Sequence, residues 1–342
     1  MTGFDLACSG LSFESGDGCR FLGRTYDMFG TLDANRITCI APGYELGLSP
    51  SGNGASVKLE YGLIGNAIRG PSFSIFTDGI NSQGLMATLQ NYPDCACYNT
   101  NRGPENTDLH PAFFIPYILG TCSSVAEAAA KLERINFTDE PVFGAPMSVH
   151  YLLSDSTGEA VIVEPDCGGI SVYRNSIGVM TNAPGYKWHL ENLRNYVALS
   201  NIHTPSRSIL GKTIRPFGHG TGGSFGLPGG YSSPDRFVRL AFAKEFSPAM
   251  EKEVDAVTRM FELFSTVNVP SGMLRSSADA PDYESTLCTC VMCAQSRTYY
   301  FSPAADRRIS AYRLDKALSA MPEDTRIVYY DIPSSQDIDF VV

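Results

Sequence analysis

No stretch of this chain approaches the 18 or so consecutive apolar residues that a membrane-spanning helix needs. It also lacks any basic run with interleaved aromatics, and its formal net charge of -10 would repel a phosphate backbone, so nucleic acid is not an expected partner. Met1 to Ala7 has neither the positive start nor the apolar length of a secretory signal, and the expected address is the cytoplasm. There is no internal repeat, low-complexity tract or long Pro/Gly/Ser linker, so one domain is the economical expectation. Histidine is sparse and scattered: none of His110, His150, His189, His203 and His219 stands at a telling spacing from a carboxylate or cysteine. What the chain does have is 43% hydrophobic residues against 18% charged, sufficient for a substantial core. Its ten cysteines, in a chain of 342 residues with no export signal, are expected to stay reduced, which leaves thiol chemistry open.

Strand signals dominate. His150 to Pro165 reads as strand, Ser-Thr-Gly-Glu turn and strand, and Gly169 to Pro184 continues the meander. SSVAEAAAKLERI predicts a helix with Ser124 and Glu127 as a capping box. SSPDRFVRLAFAKEF predicts a second, with Ser233 as cap and Pro234 in the first turn, and VDAVTRMFELFSTV a third. Strands return in TLCTCVMC, RTYYFSP and RRISAYRL. Strands at both ends with helices between favour antiparallel sheets covered by helices over a βαβ alternation.

Near the start, the turn signal Ser15-Gly16-Asp17-Gly18 separates CSGLSFES from CRFLGRTYD and predicts a hairpin. A turn centred near Asp17 sets Cys8 opposite roughly Tyr26, with Arg24 and Asp27 close by. A guanidinium lowers a thiol pKa, and the thiolate is the nucleophile, so this is a reactive arrangement. The plainer reading is a small buried hydrophobe beginning a strand. On the hairpin alone both stay open. If the Ala7–Cys8 bond were cut, Cys8 would carry an α-amine of pKa about 8, able to act as its own general base without a histidine.

The spacing of Cys8, Arg24 and Asp27 resembles the N-terminus of the choloylglycine hydrolase family, which includes conjugated bile acid hydrolases and penicillin V acylases. FTDGINSQGL, GVMTNAPGYKWHLENLRNY, GLPGGYSSPDRFVRLAF and TLCTC…TYYFSP follow in the family's order, so the likeness spans nearly the whole chain. It implies an α+β fold, a four-layer αββα sandwich of two antiparallel sheets between helices, of the N-terminal-nucleophile hydrolase type. It implies a propeptide, residues 1–7, removed autocatalytically, and a single catalytic domain over 8–342. Cys8 is then the nucleophile, and Arg24 and Asp27 hold the thiol and the new amine. Asn182 and the Asn91 N–H are the oxyanion donors, and Arg236 completes the charged network. No metal or organic cofactor enters. Each carried residue also has a structural reading: Asn182 and Asn91 as turn residues, Arg24 and Asp27 as an ion pair.

The implied substrates are small-molecule amides, either conjugated bile acids or the β-lactam penicillin V. Asn91, where the penicillin acylases have tyrosine, points to bile acids. Tyr26, Gln90 and Gly230 depart from the family's usual methionine, leucine and acidic residue. Tyr26, Phe29 and Phe143 are candidates for the apolar acyl pocket by their place in the chain. NLRNYVALSNIHTPSRSILGK resembles the family's assembly arm and implies a homotetramer. A rival of another class is a cysteine-rich binding protein that keeps Met1. Gly218, Gly220 and Gly223 satisfy G-x-G-x-x-G, but no βαβ unit surrounds them. Cys288, Cys290 and Cys293, with Cys95 and Cys97 as further candidates, invite zinc, yet their spacing is not that of paired C-x-x-C sites.

Overall fold

The structure, a computed structural model, describes residues 6–52, 55–98, 103, 105–142, 144–217 and 222–341. Its first element is the expected hairpin of Leu6–Glu14 and Arg20–Phe29. Gly18, at φ +86°, supplies the left-handed residue that the reversal needs. The register places Cys8 opposite Tyr26 and Gly10 opposite Arg24.

This hairpin sits in the middle of a seven-stranded antiparallel sheet. Val179–Met180 flanks Leu6–Glu14, and Tyr283–Cys293, Thr298–Pro303 and Ser310–Arg313 follow on the side of Arg20–Phe29. Leu274–Arg275 pairs onto Tyr283–Cys293. The second sheet has nine strands and includes Met86–Asn91, Asp78–Asn81 and the meander Val149–Ser154, Ala160–Asp166 and Gly169–Tyr173. The faces of the two sheets meet where Leu6–Glu14 and Arg20–Phe29 touch Met86–Asn91. Gly10 permits that approach: a Cβ there would stand 2.7 Å from Gln90 Nε2 and 3.2 Å from Leu152.

Helices close the outer faces. Phe114–Thr121, apolar and wholly buried, covers Asp78–Asn81 and Met86–Asn91. Ser233–Glu245 and Glu253–Ser265 cover the first hairpin's sheet. The result is an αββα sandwich, as the resemblance implied.

Two caps differ in detail from expectation. Ser124 accepts from Glu127 N, but the Glu127 carboxylate turns to Ser123 N and Oγ and not back to its own cap. The Ser233–Glu245 helix is capped by Ser232, which accepts from Asp235 N, so Ser233 is the first helical residue and its hydroxyl is available for other work. Of the nucleotide-loop glycines, Gly218 and Gly220 lie outside the described residues; Gly223 accepts from Ser200 N in a loop-to-loop contact.

Candidate active site

Strand alternation sends Cys8, Arg24 and Tyr26 to one face of the hairpin and Ser9, Thr25 and Asp27 to the other. The first face looks into the space between the sheets. There Arg24 Nη2 donates to Cys8 Sγ across 2.7 Å, Nη1 donates to Thr77 O at 2.8 Å, and Nε donates to Thr25 O at 3.1 Å. Asp78 supplies the countercharge, 3.8 Å from Arg24 Nη1, and is itself held by Tyr299 OH and Asn66 N. Tyr26 is buried, with its ring 4.8 Å from Arg24 Cζ.

The second face looks towards the helices. Arg236, on the first turn of Ser233–Glu245, donates to Cys8 O at 2.7 Å, to Ser9 Oγ at 2.6 Å and to Asn182 Oδ1 at 2.7 Å. Its Nε is spent on Tyr231 O. Asp27 accepts from Thr286 Oγ1 at 2.6 Å and Thr25 Oγ1 at 3.2 Å, and Thr25 Oγ1 in turn accepts from Ser9 N. Burial raises the Asp27 carboxyl, against the pull of Arg236 and the two hydroxyls.

Asn182 joins the two faces. It follows the edge strand Val179–Met180, and its Oδ1 accepts from the Cys8 N–H at 3.0 Å while its Nδ2 donates to Asn91 O at 2.8 Å. Asn91 ends the strand Met86–Asn91 of the other sheet. Cys8, Arg24, Asp27, Asn91, Asn182 and Arg236 therefore form one connected cluster, though they are spread over 228 positions. All six are buried. The burial pushes the Cys8 thiol up to about 11; Arg24 counteracts this and the charge on Asp27 adds to it. With the chain continuous through Ala7, which pairs with Asp27, the sulfur is a protonated thiol at neutral pH and the Cys8 nitrogen is an amide.

The family model for linear amide C-N hydrolases, choloylglycine hydrolase family, matches residues 8–326. The chain belongs to this family. Among choloylglycine hydrolase relatives, it is 28% identical over 311 residues to the bile salt hydrolase/transferase of Clostridium perfringens, spanning 90% of this chain and 93% of that one. It is 30% identical over 314 residues to the conjugated bile acid hydrolase of Lactobacillus acidophilus, 90% and 96% of the two chains. A solved structure of a mutant of the conjugated bile acid hydrolase from Clostridium perfringens superposes with a TM-score of 0.87 at 26% identity, covering 98% of this chain and 100% of that one. Penicillin V acylase from Agrobacterium tumefaciens shares the fold, with a TM-score of 0.69 at 23% identity over 90% and 87% of the chains. The chain is thus a linear amide hydrolase.

Several parts of this choloylglycine hydrolase site were not assigned from the sequence. Asp78 lay within the quoted FTDGINSQGL, but a buried countercharge for Arg24 has no local signature. Ser9, Thr25 and Thr286 are ordinary strand residues whose hydroxyls become partners only across the sheet. Ser233 and His189 hold the main chain of Asn182: Ser233 Oγ donates to Asn182 O and accepts from Asn182 N, and His189 Nε2 donates to Asn182 O at 3.1 Å. Of the acyl-pocket candidates, Tyr26 shares the thiol's face and Phe29 is half-buried at the end of its strand. Phe143 lies outside the described residues. Cys288 and Cys290 are buried within the sheet, and all ten cysteines are free thiols.

Proposed function

We propose that the chain is a cysteine amidohydrolase that cleaves the amide bond of glycine- or taurine-conjugated bile acids, with Cys8 as nucleophile after removal of residues 1–7. The observation that carries this reading is the convergence on one residue: Arg24 meets the Cys8 sulfur, while Asn182 meets its nitrogen and Arg236 its carbonyl. A merely structural cysteine needs none of these. The names of the curated relatives supply the substrate class.

The geometry supports the following chemistry. In the intact chain the Cys8 sulfur attacks the Ala7 carbonyl and the thiol proton passes to the departing nitrogen, so that breaking the Ala7–Cys8 peptide bond frees the Cys8 amine and leaves a thioester; water then hydrolyses the thioester, releasing residues 1–7 with a terminal carboxylate and restoring the thiol. That amine then takes the thiol proton, directly or through a water, as sulfur attacks the substrate carbonyl, and later protonates the leaving glycine or taurine nitrogen. Asn182 Nδ2 and the Asn91 N–H stabilise the tetrahedral oxyanion, and such a donor is commonly worth about 3 kcal/mol. Arg24, tied to Thr77 O and Asp78, favours the thiolate, and Arg236 keeps Asn182 in register with Cys8. Water releases the bile acid from its thioester. Tyr26 and Phe29 are the described candidates for contact with the apolar acyl end.

The arm predicted to assemble the protein, residues 192–212, ends in the hairpin of Arg207–Ile209 and Lys212–Ile214 and carries Val197 80% and Leu210 99% exposed. Apolar side chains so open to water support a homotetramer; a monomer in sedimentation at micromolar concentration would remove that reading. No helix among the described residues is long and apolar enough to cross a membrane; a cytoplasmic address stays part of the proposal.

Turnover of glycocholate and taurocholate against penicillin V tests the substrate assignment. The conjugates should be preferred by about tenfold or more in kcat/KM, some 1.4 kcal/mol of transition-state binding. A preference for penicillin V would overturn it.

A further inference from the structure

At the turn end of the first hairpin, six ladder positions and so about 20 Å from Cys8, a second group of ligating side chains comes together. Cys19, Glu253 and Cys293 each place one ligand atom within 4.8 Å of the other two. They come from the hairpin turn, the first residue of the helix Glu253–Ser265 and the last residue of the strand Tyr283–Cys293. The ladder brings the cysteines together: Cys293 pairs with Phe21, and Ala294 N donates to Arg20 O at 2.9 Å.

We propose that Cys19, Cys293 and Glu253 form a binding site for a soft divalent metal ion, with zinc as the natural occupant and water as the fourth ligand. Two thiolates and a carboxylate suit tetrahedral zinc, and an open fourth position is filled by solvent. With Zn–S bonds of about 2.3 Å, tetrahedral ligand atoms lie about 3.7 Å apart, so the observed envelope needs a contraction of about 1 Å, within reach of side-chain rotation. Glu253 is already oriented, since its Oε1 accepts from Tyr300 OH at 2.8 Å and Ser296 Oγ at 2.5 Å. Such outer partners are what fix metal ligands in place. Asp17 adds a second negative charge beside Cys19. Cys293 is fully buried and Cys19 is half-buried, which leaves an approach from the turn. On binding, each thiol releases its proton to solvent as its sulfur coordinates, and no electron is transferred. The ion would tie the catalytic hairpin to a helix and to its neighbouring strand.

Reduced, metal-stripped full-length protein titrated anaerobically with Co²⁺ tests this. The expected result is a near-ultraviolet thiolate-to-cobalt band with tetrahedral visible bands, saturating at one equivalent and abolished by one equivalent of Zn²⁺. Cys19→Ser should lose the thiolate band while amide hydrolysis changes less than about twofold, because Cys19 stands far from Cys8. Glu253→Gln, at a part-exposed position, should keep a thiolate band with binding weakened about tenfold or more. Cys293→Ser adds a third test if it folds. No thiolate band in the unaltered protein would overturn the proposal. So would a band that survives Cys19→Ser, or a Cys19–Cys293 disulfide that forms in place of metal binding.

Discussion

Ser233 Oγ touches both main-chain polar atoms of Asn182, accepting from its N–H and donating to its carbonyl at 3.0 Å each. The hydroxyl can do this because Ser232, one residue earlier, caps the helix. Ser233→Ala should therefore leave the helix start intact and lower stability by about 1 kcal/mol. It should reduce kcat about tenfold with little change in KM, because Asn182 is displaced at the reacting end and not at the acyl pocket. Kinetics and urea unfolding on the same preparation check both halves.

Asn182 is an acceptor through Oδ1 and a donor through Nδ2. Asn182→Asp keeps the acceptor for the Cys8 nitrogen and Arg236 and removes the donor. The proposed oxyanion role predicts a loss of about 10²–10³ in kcat with a melting temperature close to that of the parent. Steady-state turnover of a conjugated bile acid measures it.

Arg24 and Asp78 are both buried, and removing one charge strands the other. Arg24→Met should destabilise the fold by about 3–5 kcal/mol. Asp78→Asn in the same chain should recover a good part of that loss, because the remaining carboxylate is neutralised, yet activity should stay low since the sulfur has lost its cation. Denaturant unfolding of the single and double variants separates the two effects.

His189 packs on Phe237, with ring centroids 4.3 Å apart, and donates through Nε2 to Asn182 O, while its Nδ1 is buried with no partner among the described residues. Burial first, and then the nearby His150 and Arg236, hold its pKa down at about 4 against the hydrogen bond to Asn182 O. A depressed folded pKa means the stability is complete above the unfolded value near 6.5 and is lost as pH falls through about 4. The loss should be on the order of 3 kcal/mol. Unfolding free energies at pH 7 and pH 4 should differ less for His189→Phe than for the parent, by about this amount.

The sequence made the hairpin, its register and the order of the family motifs legible, because local turn chemistry and strand alternation act over a few residues. Cys8 facing Tyr26 needed only the position of Asp17. The hub role of Asn182 depends on an edge strand, a helix turn and the second sheet meeting at one side chain, and no local pattern encodes that. The same limit applied to Ser233, whose expected capping role was taken by its neighbour, and to Asp78, whose partner lies 54 positions away. The C-x-C-x-x-C spacing pointed to Cys288 and Cys290, which the sheet buries. Cys19 and Glu253, far away in sequence, are what the fold brings to Cys293.

The central claim is that one residue supplies both the attacking sulfur and the amine that takes its proton. Intact mass and N-terminal sequencing of the active protein test it most directly, alongside Cys8→Ala prepared in the same way. The account predicts that active molecules begin at Cys8 and that the variant retains the preceding residues and is inert. Full hydrolysis by molecules that still carry the leading heptapeptide, or by the variant, would contradict it.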